Sequence, residues 1–133
     1  MDNTVVVIFG DHCGIHRYYN DELESIEPRE DWWYKKDVCV PLIIYNSEIK
    51  GKKYETIGGQ IDIFPTVAYL MGIKEEKYIN TAMGRNLLKT KKSFSLFPGG
   101  TFVGEGTEDD KRHAEKGIYI ADIIIRSNYF KGR

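Results

Sequence analysis

An α/β fold is the architecture this sequence predicts, and three features carry that expectation. The first is a run of four β-branched residues and a phenylalanine, Val5-Val6-Val7-Ile8-Phe9, which reads as a strand covered on both faces. The second is a strongly apolar segment within Gly58 to Gly72, bounded by helix start and stop signals. The third is the abrupt end of the first strand in Gly10-Asp11-His12. In α/β sheets the chemistry gathers at the carboxyl edge of the strands. A glycine there lets the chain turn, and delivers a carboxylate and an imidazole together into the space beyond the sheet.

Asp11 and His12 are the leading candidate metal ligands. A carboxylate beside an imidazole suits Mn²⁺, Zn²⁺ or Fe²⁺, and Mg²⁺ less well. On the residues alone a second reading stands beside it, in which Asp11 starts a loop and His12 is a hydrogen-bonded surface residue. Two ligands also leave a site incomplete, since zinc takes about four and manganese about six. Cys13 follows the pair and is either a third, soft ligand or a plain thiol. With Cys39 as the other cysteine, two thiols do not make a disulfide framework.

Gly14 to Lys36 is a long polar connection containing Trp32-Trp33-Tyr34. Connections of that length are usually functional or mobile, and their aromatics either line a groove or pin the loop to the domain. His16 and Arg17 are candidate substrate-contacting residues, with exposed loop residues as the alternative. Val38 to Tyr45 reads as a second buried strand with Pro41 near its start. In the helix that follows, Asp62 is expected at the N-cap, Pro65 in the first turn and Gly72 as a left-handed C-cap. That helix is apolar almost all round, so it is expected to be packed internally, with Asp62 structural and not catalytic.

Ser93 to Phe97 and Thr101 to Glu105 alternate around Pro98-Gly99-Gly100, a hairpin pattern. Glu108 to Phe130 carries Ala114, Ile118, Ala121 and Ile125 at helical spacing. Its pairs Glu108–Arg112 and Asp122–Arg126 have the favourable i,i+4 orientation. The Ile123-Ile124-Ile125 run also suits a strand.

Composition narrows the function classes. The 133 residues suffice for one domain with a core, and 41% hydrophobic content is that of a folded chain. With 19 basic against 20 acidic residues the formal charge is −1, so no global field draws in nucleic acid or an anionic surface. The clusters Lys50-Gly51-Lys52-Lys53 and Lys89-Thr90-Lys91-Lys92 read as solvated loops. No apolar run approaches the ~20 residues that cross a bilayer.

Four pieces in order carry a resemblance. They are Phe9-Gly10-Asp11-His12-Cys13-Gly14-Ile15, Val40-Pro41-Leu42-Ile43-Ile44-Tyr45, Gln60-Ile61-Asp62-Ile63-Phe64-Pro65-Thr66 running to Met71-Gly72-Ile73, and Met83-Gly84-Arg85-Asn86-Leu87-Leu88. The series resembles the carboxy-terminal part of the sulfatase-like domain of lipoteichoic acid synthases and related phosphoglycerol transferases, in the alkaline phosphatase superfamily. The resemblance covers nearly the whole chain and thins after Leu88. It implies a partial sulfatase-like sandwich with a mixed sheet flanked by helices, and Asp11 and His12 as ligands of Mn²⁺ or another divalent cation such as Zn²⁺ or Mg²⁺.

The implied reaction takes glycerol phosphate from phosphatidylglycerol through a phospho-threonine enzyme, on the outer face of the membrane. Phosphatidylglycerol and the glycerol phosphate polymer are the implied partners. The family's nucleophile, its acidic ligand on an earlier strand, its substrate-binding histidine and its transmembrane helices have no counterpart here, and Thr4 lies on the wrong side of the strand. The expectation is therefore an inactive portion of a longer protein or of a split gene, with an incomplete metal site. Sheet surface left uncovered would favour self-association. Another superfamily member, such as a sulfatase or phosphoethanolamine transferase, and a non-enzymatic interaction module are the competing readings.

Overall fold

The computed structural model describes residues 4–12, 19–28 and 39–131. They divide into two compact units, residues 1–50 and 51–133. The elements are a mixture of α and β, with two small antiparallel sheets.

In the first unit, β1 (Val5–Phe9) pairs antiparallel with β2 (Leu42–Asn46), from Val5 opposite Asn46 to Phe9 opposite Leu42. The β-branched residues of both strands fit this pleated pairing. The ladder runs one step further, where the Gly10 N–H donates to the Pro41 carbonyl at 3.3 Å. Pro41 has no N–H to return, so pairing ends there. Strand β1 was expected to be covered on both faces. Instead Ile8 and Ile43, opposite each other, are 58% and 56% exposed. Cross-strand neighbours share a face, and both side chains stay more than half exposed. A short helix, α1 (Asn20–Glu24), interrupts the long polar connection. Its acidic Asp21 and Glu22 sit in the first turn, where the helix dipole favours negative charge, and Leu23 is buried.

The second unit is organised by Asp62. A 3₁₀ turn, Gln60–Asp62, leads into α2 (Ile63–Leu70). Asp62 stands at the N-cap position as expected, yet its carboxylate does not cap α2. It turns inward and is fully buried, accepting from the Gly59 N–H at 2.9 Å. Arg85 contributes its backbone N–H at 2.5 Å, Nη2 at 2.9 Å and Nε at 3.4 Å. The same Nη2 donates to the Phe94 carbonyl at 2.7 Å, and the guanidinium lies 3.9 Å from the centre of the Phe94 ring. Nη1 of Arg85 is buried with no oxygen acceptor, so that ring face is its electrostatic compensation.

Below Asp62, the Thr66 hydroxyl donates to the Asp62 carbonyl at 2.6 Å and accepts from the Leu87 N–H at 3.0 Å. These bonds hold residues 83–88 against the start of α2. A side chain at Gly84 would meet the Ile61 carbonyl oxygen at 2.1 Å, so only glycine lets the two backbones approach so closely.

Helix α2 ends as expected. Gly72 has φ +72°, with the Gly72 N–H donating to the Tyr69 carbonyl and the Ile73 N–H to the Ala68 carbonyl, a Schellman closure. The expectation that α2 is buried all round fails. Pro65, Thr66 and Ala68 are buried, whereas Phe64 and Met71 are 55% and 63% exposed. The partners of α2 among the described residues include Tyr78, Leu87 and Lys89.

Strands β3 (Ser93–Leu96) and β4 (Phe102–Glu105) form the expected hairpin, with Phe94 and Phe102 stacked at 5.2 Å. Helix α3 (Glu108–Arg126) settles the helix-or-strand alternative in favour of helix. Thr107 caps it reciprocally with Asp110: the Asp110 N–H donates to Thr107 Oγ1, and the Thr107 N–H to the Asp110 carboxylate at 3.0 Å. Arg126 pairs with Asp122 at 2.7 Å as expected, but Arg112 reaches Asp109 and not Glu108.

Ala114 is buried, while Ile125 on the same stripe is 77% exposed. At 1.5 Å per residue α3 is about 28 Å long, against about 13 Å for a four-residue strand, so its last turns outrun the hairpin. Lys92, just before β3, forms an ion pair with Asp110 and joins hairpin to helix.

Two consequences are measurable. Asp62→Ala leaves Arg85 partly buried without its counter-charge, and is expected to destabilise the second unit by about 3–5 kcal/mol. In urea denaturation, a loss under about 1 kcal/mol would show that the pair is not the organising contact. The second consequence concerns acid. The Lys92 ammonium and the Thr107 cap hold the Asp110 carboxyl down from 3.8 to about 2. A depressed carboxylate stabilises the fold above the unfolded value, and that stabilisation is lost as pH falls from about 4 to about 2. The urea midpoint of the native chain should drop across that window more than the midpoint of Asp110→Asn. Parallel curves would rule the coupling out.

Candidate functional site

The Asp11–His12 pair sits one residue beyond the last rung of the β1–β2 ladder, at the carboxyl end of β1. Gly10 makes that exit possible for a reason other than the expected turn. Its φ is not in the left-handed region, but a Cβ there would meet Val40 Cβ at 2.8 Å. Glycine is needed for the close approach of the neighbouring strand's leader, and the chain leaves the ladder without displacing Val40.

Beyond it both side chains turn to solvent. Asp11 is 86% exposed and His12 56%, with His12 Nε2 3.6 Å from Asp11 Oδ1. One carboxylate oxygen and one imidazole nitrogen are thus presented side by side. Such a pair is an attractive ion pair when the imidazole is protonated, and a two-donor set for a cation when it is neutral. Among the described residues no group of three or more His, Cys, Asp and Glu side chains gathers as a metal cluster. Cys13, His16, Arg17 and the Trp32-Trp33-Tyr34 aromatics lie outside the described residues. Cys39 is exposed.

Asp62, the carboxylate at the start of α2, is structural, as its sequence context suggested. Every donor it meets comes from Gly59 or Arg85.

A second feature escaped the sequence reading. At the carboxyl end of α2 a groove of about 240 Å³ is lined by Tyr69, Lys74, Glu75, Tyr78, Asn86 and Lys89, among others. Lys89 lies 4.1 Å from the centre of the Tyr69 ring. Lys89 belongs to a cluster read from sequence as a solvated loop, and Lys74 carried no signal at all. Folding of residues 83–89 against α2 brings them to one groove. Among the described residues no helix is long and apolar enough to cross a membrane.

Comparison with known proteins agrees with this layout. The sulfatase family model matches residues 1–73, which run from β1 through the Asp-His pair to the Gly72 closure of α2. Lipoteichoic acid synthase 1 of Bacillus subtilis (strain 168) is 38% identical over 105 residues, covering 77% of this chain and 16% of that protein. Lipoteichoic acid synthase of Staphylococcus aureus (strain USA300) is 30% identical over 169 aligned positions, covering 98% of this chain and 24% of that protein. The chain thus spans about a sixth to a quarter of the length of these relatives. No solved structure matches it. With more than half its residues inside the family match, and with lipoteichoic acid synthases aligned along most of its length, this chain belongs to the sulfatase family and is a portion of a lipoteichoic-acid-synthase-like sulfatase domain.

Proposed function

We propose that Asp11 and His12 are two of the protein ligands of a divalent cation in a phosphoglycerol transferase of the lipoteichoic acid synthase type. The ion is Mn²⁺, with Zn²⁺ or Mg²⁺ as the alternatives. The observation that carries the reading is the position of the pair: it stands at the carboxyl edge of β1, within the residues matched by the sulfatase family, with its donors facing solvent.

The donor set fits such an ion. His12 Nε2 and Asp11 Oδ1 stand 3.6 Å apart, close enough for both to contact one cation. Asp11 supplies a hard anionic oxygen, and His12 a borderline nitrogen that favours Mn²⁺ and Zn²⁺ over Mg²⁺.

Within this reading the chain's own residues hold and orient; they do not attack. Asp11 contributes the negative charge that keeps a dication in place, and His12 narrows the choice of metal. Gly10 and the end of the β1–β2 ladder keep both residues at the sheet edge. The chemistry such an ion supplies when bound is Lewis-acid polarisation of a phosphoryl oxygen. The group transferred is glycerol phosphate from phosphatidylglycerol, at the outer face of a membrane. The names of the relatives support the polymer product. With two of about four protein ligands, this chain by itself is expected to bind the cation weakly and not to turn over substrate.

Calorimetric titration of the chain with Mn²⁺, beside Asp11→Ala, tests the assignment. Weak binding, weaker than about 10 μM, that disappears in Asp11→Ala is the expected result, because loss of a ligand typically costs most of the affinity of a two-donor site. Heats that are the same for both proteins would remove Asp11 from the site.

A further inference from the structure

Asp11 and His12 are neighbours in sequence, which makes their convergence a structural problem. In a continuing strand successive side chains point to opposite faces of the sheet, so residues 11 and 12 could not offer donors to one point. Here His12 Nε2 and Asp11 Oδ1 stand 3.6 Å apart. They converge because the strand has ended, and the chain bends at residues 11 and 12. What ends it lies across the ladder, in residues 40 and 41. The register of β1 and β2 puts Gly10 opposite Pro41, one step past Phe9 opposite Leu42. The Gly10 N–H donates to the Pro41 carbonyl at 3.3 Å, which is half of the two-bond exchange of a hydrogen-bonded antiparallel pair. The other half would run from the N–H of residue 41 to the Gly10 carbonyl, and proline has no N–H. Residue 41 therefore cannot fix the peptide plane between Gly10 and Asp11.

Val40 marks the same departure from the ladder. A Cβ at Gly10 would meet Val40 Cβ at 2.8 Å and Cγ1 at 2.9 Å. Yet residues 10 and 40 are one step out of register, and in a regular ladder they belong to opposite faces. Packing does not account for the proline either, because Pro41 is exposed and its ring fills no core. Its contribution is the hydrogen bond it withholds. We infer that Pro41 is a positioning residue for the Asp11–His12 donors: by withholding one ladder hydrogen bond it ends the strand at Gly10 and lets two consecutive side chains converge on one cation. The purpose of that arrangement rests on the cation reading of the pair, whereas its mechanism rests on the ladder alone. An N–H at position 41 would complete the rung, draw residues 10 to 12 into the sheet and send the two side chains to opposite faces.

Two variants of the whole chain separate the withheld donor from the proline ring. Pro41→Ala supplies the N–H. Lactic acid at position 41 replaces the amide by an ester, with neither ring nor N–H. Proton cross-relaxation between the Asp11 methylene and the His12 ring reports convergence without any metal, and calorimetry with Mn²⁺ reports the donor pair. The native chain and the ester variant are expected to show the proton contact, with Mn²⁺ heats that Asp11→Ala removes. In Pro41→Ala the contact should vanish and the new N–H should exchange slowly. Mn²⁺ affinity there should fall roughly tenfold or more, as when other groups that orient ligands are removed. The melting midpoint of that variant should stay within about 4 °C of the native value, since a hydrogen bond replaces an exposed ring. Persistence of the contact in Pro41→Ala, or its loss in both variants, would overturn the role of Pro41. Mn²⁺ heats indifferent to Asp11→Ala would instead overturn the cation reading, and the proton contact would still decide what Pro41 does.

Discussion

The buried carboxylate of Asp62 is the constraint on which most of the second unit depends. An ionised group removed from water is tolerated only when charge and hydrogen bonds replace its hydration. Here one guanidinium and two backbone N–H groups do so, from Gly59 and Arg85. Satisfying it recruits distant parts of the chain. Arg85 must be brought beside the 3₁₀ turn, which requires Gly84 to lie against the Ile61 carbonyl. Arg85 then has donor capacity left for the Phe94 carbonyl, which ties the hairpin to the same point. One buried charge therefore specifies the relative placement of the start of α2, residues 83–88 and β3.

The two prominent aspartates obey opposite rules. Asp62 faces inward and its oxygens are consumed by the chain's own donors, so its electrostatics serves the fold. Asp11 keeps 86% of its side chain toward solvent beside an imidazole. Burial separates the two aspartates where residue type does not.

Packing also explains how the chain presents its surface. Strand β1, the outer side of α2 and the last turns of α3 all carry large apolar side chains that stay exposed. Among the described residues the β1–β2 ribbon has two strands, and a pair of strands cannot cover its own faces. Helix α3 is simply longer than the hairpin it packs on. Among the described residues of the second unit the buried apolar side chains are accordingly few: Ala68, Tyr78, Phe94 and Ala114.

Local patterns settled much of this by themselves. The β-branched run set β1, the Pro-Gly-Gly turn set the hairpin, and Gly72 set the end of α2, because each acts through neighbours in sequence. The Phe-Gly-Asp-His junction likewise marked the candidate site and, with the later motifs, the family. Contacts across the chain were beyond such reading. Arg85 as the partner of Asp62, Gly10 as a steric and not a conformational requirement, Arg112 choosing Asp109, and the convergence of Lys74 with Lys89 all depend on which segments pack together. Sequence periodicity reports which face of an element is apolar; only tertiary structure decides whether anything covers that face, and which buried charge meets which.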